Sequence, residues 1–131
     1  MRLPTWLAPV AVTALLLTGC SSGSSDAISD VDVAEAQQIV EQGDAVILDV
    51  RTPEEFAAGH LPGAVNINVE SSDFADRVAG LDEATETLVY CRTGNRSGVA
   101  TDKMAKLGFT DMSDLQGGIE AWTADGGEVV Q

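Results

Sequence analysis

Positive charge is scarce in this chain. Seven Lys and Arg stand against 21 Asp and Glu, giving a formal net charge of −14. That balance argues against a surface that binds nucleic acid or grips anionic lipid electrostatically. Any anion site must be a local exception, built from backbone dipoles and a few arginines. Histidine is limited to His60, and one histidine cannot build a zinc site with the remaining residues. Cysteine is limited to Cys20 and Cys91, so no disulfide framework is possible and at most one bridge could form. There are no internal repeats, and no low-complexity stretch beyond the serines of 21–25. The apolar run Trp6 to Leu17 is short for a permanent bilayer-spanning helix.

What the first twenty residues do contain is a basic start, Met1-Arg2, that apolar run, and small residues before a cysteine. Together they read as a secretory signal peptide. Leu17-Thr18-Gly19-Cys20 resembles the lipobox of bacterial lipoproteins. The resemblance implies cleavage before Cys20 and a lipid on its thiol. Acyl chains contribute about 0.8 kcal/mol per buried CH₂, so a multiply acylated Cys20 would anchor the chain stably. The expected organisation is a signal peptide over 1–19, a lipidated Cys20 and serine-rich tether over 20–25, and one domain over 26–131. The expected location is the cell envelope, outside the cytoplasm and lipid-anchored to the membrane.

If Cys20 is acylated, Cys91 has no partner within the chain. A free thiol outside the cytoplasm is exposed to oxidation, which argues that Cys91 is used. Its surroundings agree. Leu88-Val89-Tyr90 is a buried strand in pattern, and Cys91 ends it. Arg92-Thr93-Gly94-Asn95-Arg96-Ser97 is a short polar loop leading into an apolar-periodic helix. A thiol placed between a strand end and a helix start meets unpaired N–H groups and the positive end of the helix dipole. Such a site lowers a thiol pKa and makes the sulfur nucleophilic. After Cys20 the cations are Arg51, Arg77, Arg92, Arg96, Lys103 and Lys106, and two of these lie within five residues of Cys91.

Strand and helix patterns alternate along the rest of the chain. A short strand is expected around Ala27 to Ser29. Asp32 and Glu35 have capping-box spacing, followed by Val33, Ala36 and Val40 on one helix face, with Gly43 as the stop. Ala45-Val46-Ile47-Leu48 is unbroken and apolar, as in a strand covered on both faces. Pro53 opens a helical turn, Pro62-Gly63 is a turn, and Val65 with Ile67 suggests a short strand. Ser72 is placed to cap a helix carrying Phe74, Val78 and Leu81. Strand Thr87 to Tyr90 enters the cysteine loop. Ala100, Met104 and Leu107 mark the buried face of the next helix, closed by Gly108 and Phe109. A strand at Met112 to Leu115 and a helix at Ile119 to Ala124 around Trp122 finish the chain. Alternation of this kind gives an α/β fold with a mainly parallel sheet, whose sites lie beyond the strand carboxyl ends. Asp49, Arg51 and Cys91 all fall at such ends.

Four segments, in order, resemble a single-domain rhodanese. They are Leu48-Asp49-Val50-Arg51 with Glu54-Glu55-Phe56, then the stretch from Phe56 through His60-Leu61-Pro62-Gly63-Ala64 to Ile67. The third is Tyr90-Cys91-Arg92-Thr93-Gly94-Asn95-Arg96-Ser97, and the fourth runs from Leu115 through Gly117-Gly118-Ile119 to Ala121-Trp122. The resemblance implies a three-layer rhodanese-like fold over nearly all of 26–131. It also implies a sulfurtransferase that moves a sulfane sulfur through a Cys91 persulfide. Phosphatase and arsenate-reductase relatives of this fold resemble Cys-x5-Arg, whereas this chain has Cys91-x4-Arg96. The smaller cradle favours sulfur over phosphate. A non-catalytic sulfide- or persulfide-binding, or protein-interaction, module is the alternative.

In the enzymatic reading, Cys91 is the nucleophile and the N–H groups of residues 92–97 hold the persulfide anion. Arg92 meets the donor's anionic oxygens. Arg96 either does the same or anchors the loop by pairing with Asp49. Arg51 holds the rim by an ion pair, and His60 and Trp122 are structural. The chemistry calls for no metal and no organic cofactor. The expected partners are a small anionic sulfur donor, a thiol or other thiophilic acceptor, and the membrane through Cys20. A monomer that binds no nucleic acid is expected.

Overall fold

The structure, a computed structural model, describes residues 26–131. The expected signal peptide, lipidated Cys20 and tether fall on residues outside those described. Ten elements alternate from strand to helix: β1 Ile28–Val31, α1 Val33–Gln42, β2 Val46–Asp49, α2 Pro53–Ala58, β3 Val65–Asn66, α3 Phe74–Val78, β4 Thr87–Tyr90, α4 Asn95–Lys106, β5 Met112–Leu115 and α5 Gly118–Ala124. The five strands form one sheet in the order β1-β5-β4-β2-β3, and every pairing is parallel.

Side chains alternate across a strand, so each central strand feeds two cores. Leu48, Val89, Cys91 and Met112 face one core, closed by Phe74 and Val78 of α3 and Ala100 and Met104 of α4. Ile47, Leu88, Tyr90 and Leu115 face the other, closed by Ala36 of α1 and Ile119 and Trp122 of α5. All four residues of β4 are buried, which is why its sequence is a continuous run with no polar alternation. This is the expected α/β fold, a parallel sheet between two helical layers. Among the described residues no helix is long and apolar enough to cross a membrane.

Local signals account for most boundaries. Asp32 and Glu35 form the capping box, each side chain accepting from the other's N–H at 2.9 Å. Gly43 ends α1 in the left-handed region. Thr52 caps α2 with Pro53 at its first position.

Three expectations are corrected. The first strand runs to Val31 rather than stopping near Ser29, because pairing with β5 continues to Val31↔Leu115. Ser72 does not cap α3; Asp73 precedes it, and the helix ends at Val78, leaving Leu81 to reach the core from the following turn. Leu107 is 46% exposed. The buried face of α4 is instead Ser97, Ala100, Thr101 and Met104, and the chain reverses so that Phe109 fills the remaining apolar space. The Phe109 N–H donates back to the Met104 carbonyl at 3.1 Å.

Candidate active site

Strand β4 delivers Cys91 to the carboxyl edge of the sheet, where the chain turns sharply into α4. The turn needs Gly94, whose φ of 117° side chains rarely adopt. There the Gly94 N–H points back and donates to Cys91 Sγ at 3.0 Å. No side chain caps the start of α4, and its first turn carries no acidic residue. The free N–H groups and the dipole are therefore left to the sulfur.

Cys91 is 1% exposed, and burial pushes its thiol pKa up. Four donors more than offset that: the Ser97 hydroxyl and the backbone N–H groups of Ser97, Gly94 and Thr93. The net direction is down, toward the thiolate. The Ser97 hydroxyl lies 3.6 Å from Sγ and donates to the Gly94 carbonyl at 3.1 Å. As the thiol ionises, that hydroxyl can turn to the sulfur.

The back of the loop is pinned by α5. The N–H groups of Ile119 and Glu120 donate to the carbonyls of Cys91 and Arg92 at 2.9 and 3.2 Å. Gly118 makes this approach possible, since a Cβ there would overlap both carbonyl oxygens. With its carbonyls turned toward α5, the loop presents its N–H groups to the sulfur.

Both loop arginines are paired. Arg96 forms a bidentate ion pair with Glu55 of α2, at 2.7 and 2.9 Å. The Arg96 hydrogen bond is the main reason the Glu55 carboxyl falls to about 2. Arg92 reaches Glu120 of α5 at 2.8 Å on the surface. Thr93 and Asn95 are exposed beside them, so of Thr93 only the backbone meets the sulfur.

Of the two roles left open for Arg96, the pairing with Asp49 does not occur. Asp49 is fully buried and taken by Arg51, whose Nη2 donates to Oδ2 at 2.6 Å, and by the Tyr90 hydroxyl at 2.7 Å. Arg51 also donates to the Gly59 carbonyl at 2.7 Å, and the Tyr90 oxygen accepts from the Leu61 N–H at 3.1 Å. Arg51 thus forms a buried strut between Asp49 and the Gly59 carbonyl. Burial, and then the negative Asp49, raise the Tyr90 pKa far above its ordinary value. His60 stacks on Phe56 with centroids 3.7 Å apart and its Nδ1 lies 2.8 Å from the Phe56 carbonyl. Trp122 is buried and donates to the Glu128 carbonyl at 2.8 Å.

Sequence reasoning missed the partners. Glu55 was legible as part of an acidic-aromatic segment but not as the counter-ion of Arg96. Glu120 gave no local signal. Gly117-Gly118 was legible as part of the segment around Trp122, but not as the contact of Gly118 with the Arg92 carbonyl, 26 residues back in the chain. Among the described residues no cluster of His, Cys, Asp or Glu could hold a metal ion.

Residues 32–125 match the family described as Rhodanese-like domain. The chain is 35% identical over 108 residues to Thiosulfate sulfurtransferase 16, chloroplastic, of Arabidopsis thaliana, covering 75% of this chain and 89% of that one. It is 37% identical over 90 residues to Thiosulfate sulfurtransferase GlpE of Pseudomonas putida, covering 69% and 80%. Its fold superposes with a TM-score of 0.69 on the crystal structure of a rhodanese-related protein from Thermoplasma volcanium, at 29% identity, covering 77% of this chain and 96% of that one.

Proposed function

The chain belongs to the rhodanese-like domain family, and on that premise we propose that it is a sulfurtransferase working through a persulfide on Cys91. The Cys91 thiolate attacks the outer sulfur of a donor such as thiosulfate. The donor's S–S bond breaks, sulfite leaves with the bonding electron pair, and the outer sulfur remains on Cys91. A thiophilic acceptor then takes that sulfur, and the thiolate returns. No redox partner is required, because the sulfur's bonding pair is exchanged and not lost. The loop N–H groups carry the negative charge from thiolate to persulfide without moving. Arg92 draws the donor's oxygens, in competition with Glu120. Arg96 holds the loop through Glu55.

One observation supports this most strongly. The Gly94 N–H lies 3.0 Å from Sγ at the start of a helix left uncapped by any side chain, so the anion that the reaction needs is already solvated by the protein. The relatives named thiosulfate sulfurtransferases support the same class of reaction. We also propose that Cys20 carries a lipid and anchors the domain to a membrane of the bacterial cell envelope, outside the cytoplasm, through the tether of 20–25. The enzymatic reading is tested by thiosulfate-to-cyanide sulfur transfer in wild type and Cys91→Ala. Turnover that vanishes in the folded variant supports it. A wild-type protein without turnover, which still binds sulfide or a persulfide, would make it a binding module.

A further inference from the structure

Val99, Lys103 and Leu107 stand four residues apart on α4 and its C-cap, so they form one row along the helix. Val99 is 51% and Leu107 46% exposed, two of the four large apolar side chains left exposed among the described residues. They line a surface groove between α4 and the chain over 69–75. The stretch beside Asn95 and Arg96 has a volume of about 290 Å³, and the stretch beside Phe74 and Leu107 about 510 Å³. Val69 and Lys103 line both, so the two stretches are continuous. One end of the groove is the cysteine loop. Asn95 and Arg96 belong to that loop, and Val69 packs in the same apolar cluster as Cys91. In the other stretch, Lys103 Nζ stands over the Phe74 ring, 5.9 Å from its centroid. The three ion pairs among the described residues occupy Arg51, Arg92 and Arg96, so Lys103 is the groove's unspent cation. Glu70 lines the groove as well, and its charge acts on Arg96 at the loop end.

We propose that this groove seats the sulfur acceptor, a small amphiphilic thiol with an apolar chain and an anionic end, its thiol at the cysteine loop and its anion at Lys103. The inference rests on Cys91 carrying the sulfur. The groove has the size of a small-molecule site, and its apolar walls suit a hydrocarbon chain. Charge sets the direction. The loop end holds the negative persulfide and Glu70, so the anionic end turns away from it and toward Lys103. The net charge of −14 also repels an acidic macromolecule more than a small molecule with one charge. From Asn95 to Lys103 the helix rises about 12 Å, at 1.5 Å per residue. A chain of octanoate length spans that distance and a propionate chain does not. The acceptor reacts as its thiolate, the proton already lost to solvent. Its sulfur attacks the outer sulfur of the Cys91 persulfide, the S–S bond breaks, and Cys91 leaves as thiolate with the bonding pair. The acceptor departs as a persulfide, so no oxidant or reductant is consumed.

Acceptor kinetics on the whole chain, with thiosulfate fixed, compare mercaptopropionate, mercaptooctanoate and the uncharged mercaptooctanol, each with its thiol on the terminal carbon. Cyanide serves as the acceptor that needs no groove. KM for mercaptooctanoate should lie about ten- to thirtyfold below that for mercaptopropionate, since each half-buried methylene contributes about twofold. Lys103→Gln should raise KM for mercaptooctanoate about two- to fivefold relative to mercaptooctanol, the scale of one exposed charge pair. Val99→Asp should raise KM for both long thiols. Nonanoate, which has no thiol, reads the groove without sulfur transfer. It should move the amide NMR signals of Val69, Val99 and Lys103 and bind about two- to fivefold more weakly to Lys103→Gln. Transfer to cyanide shows that the Cys91 reading holds, so equal KM values for short and long thiols would then overturn the groove alone. So would a Lys103→Gln variant that treats mercaptooctanoate as wild type does. Nonanoate that leaves those amides unmoved would overturn the proposal even in a protein that transfers no sulfur.

Discussion

Arg96 and Glu55, 41 residues apart, clasp each other through two hydrogen bonds of 2.7 and 2.9 Å and tie the start of α4 to α2. The cysteine loop is thus held from outside by an ion pair and from behind by the α5 backbone. Glu55 falls from 4.5 to about 2 chiefly through the Arg96 hydrogen bond. A depressed carboxylate contributes stability that is fully present above its unfolded pKa and is lost as pH falls through the folded one. Glu55→Gln should therefore cost about 1 kcal/mol near neutral pH, after allowing for solvent screening of a half-buried pair. The cost should vanish as pH drops from 4.5 through about 2. Urea unfolding at a series of pH values checks this, and a cost that does not change with pH contradicts it.

Glu120 restrains Arg92 at the mouth of the site, and both are more than half exposed. Glu120→Gln should free Arg92 for the donor and remove a repulsive charge. KM for thiosulfate should fall about two- to fivefold with kcat little changed, the scale expected of one exposed pair. Arg92→Ala should raise KM. Steady-state kinetics at fixed ionic strength decide it, and an unchanged KM in Glu120→Gln would show that the pair does not gate entry.

Gly118 is the contact that orients the loop carbonyls. Its φ of 58° and its position against the Cys91 and Arg92 oxygens leave no room for a methyl group. Gly118→Ala should lower stability by about 1–3 kcal/mol, as overpacking does, and reduce sulfur transfer out of proportion to that loss. A variant that unfolds at the wild-type urea midpoint would contradict it.

The lipid proposal follows from Leu17-Thr18-Gly19-Cys20. Wild type expressed in bacteria should take up labelled fatty acid and partition into detergent. Cys20→Ser should take up no label and should be soluble or remain uncleaved. A processed serine variant that stays membrane-bound would mean a different anchor.

The order of elements was legible because it rests on local rules. The Thr87–Tyr90 run is apolar throughout since β4 is covered on both faces, and Asp32 and Glu35 announce α1 through a cap three residues wide. Cys91 and its loop were legible because strand, glycine and helix are contiguous. What stayed hidden depends on distance in sequence. Asp49 was open to Arg51 or Arg96 on charge alone, and Tyr90 tipped it: its hydroxyl and Arg51 together fill the buried carboxylate. Leu107 has the right spacing for a core residue, but the helix ends first and Phe109 takes the space. Asp114 reads as a strand residue in the sequence, and only the packing of α4 over β5 shows it buried against the first turn of that helix.

The central claim is that Cys91 carries the transferred sulfur. Its most direct test is the mass of the intact protein after brief exposure to thiosulfate, with the added mass located by peptide mapping. Thiosulfate should add one sulfur atom to Cys91, removed by cyanide with release of thiocyanate, and should add none to Cys91→Ala. A wild-type protein that turns over thiosulfate while Cys91 stays unmodified, or a folded Cys91→Ala that still transfers sulfur, would contradict it.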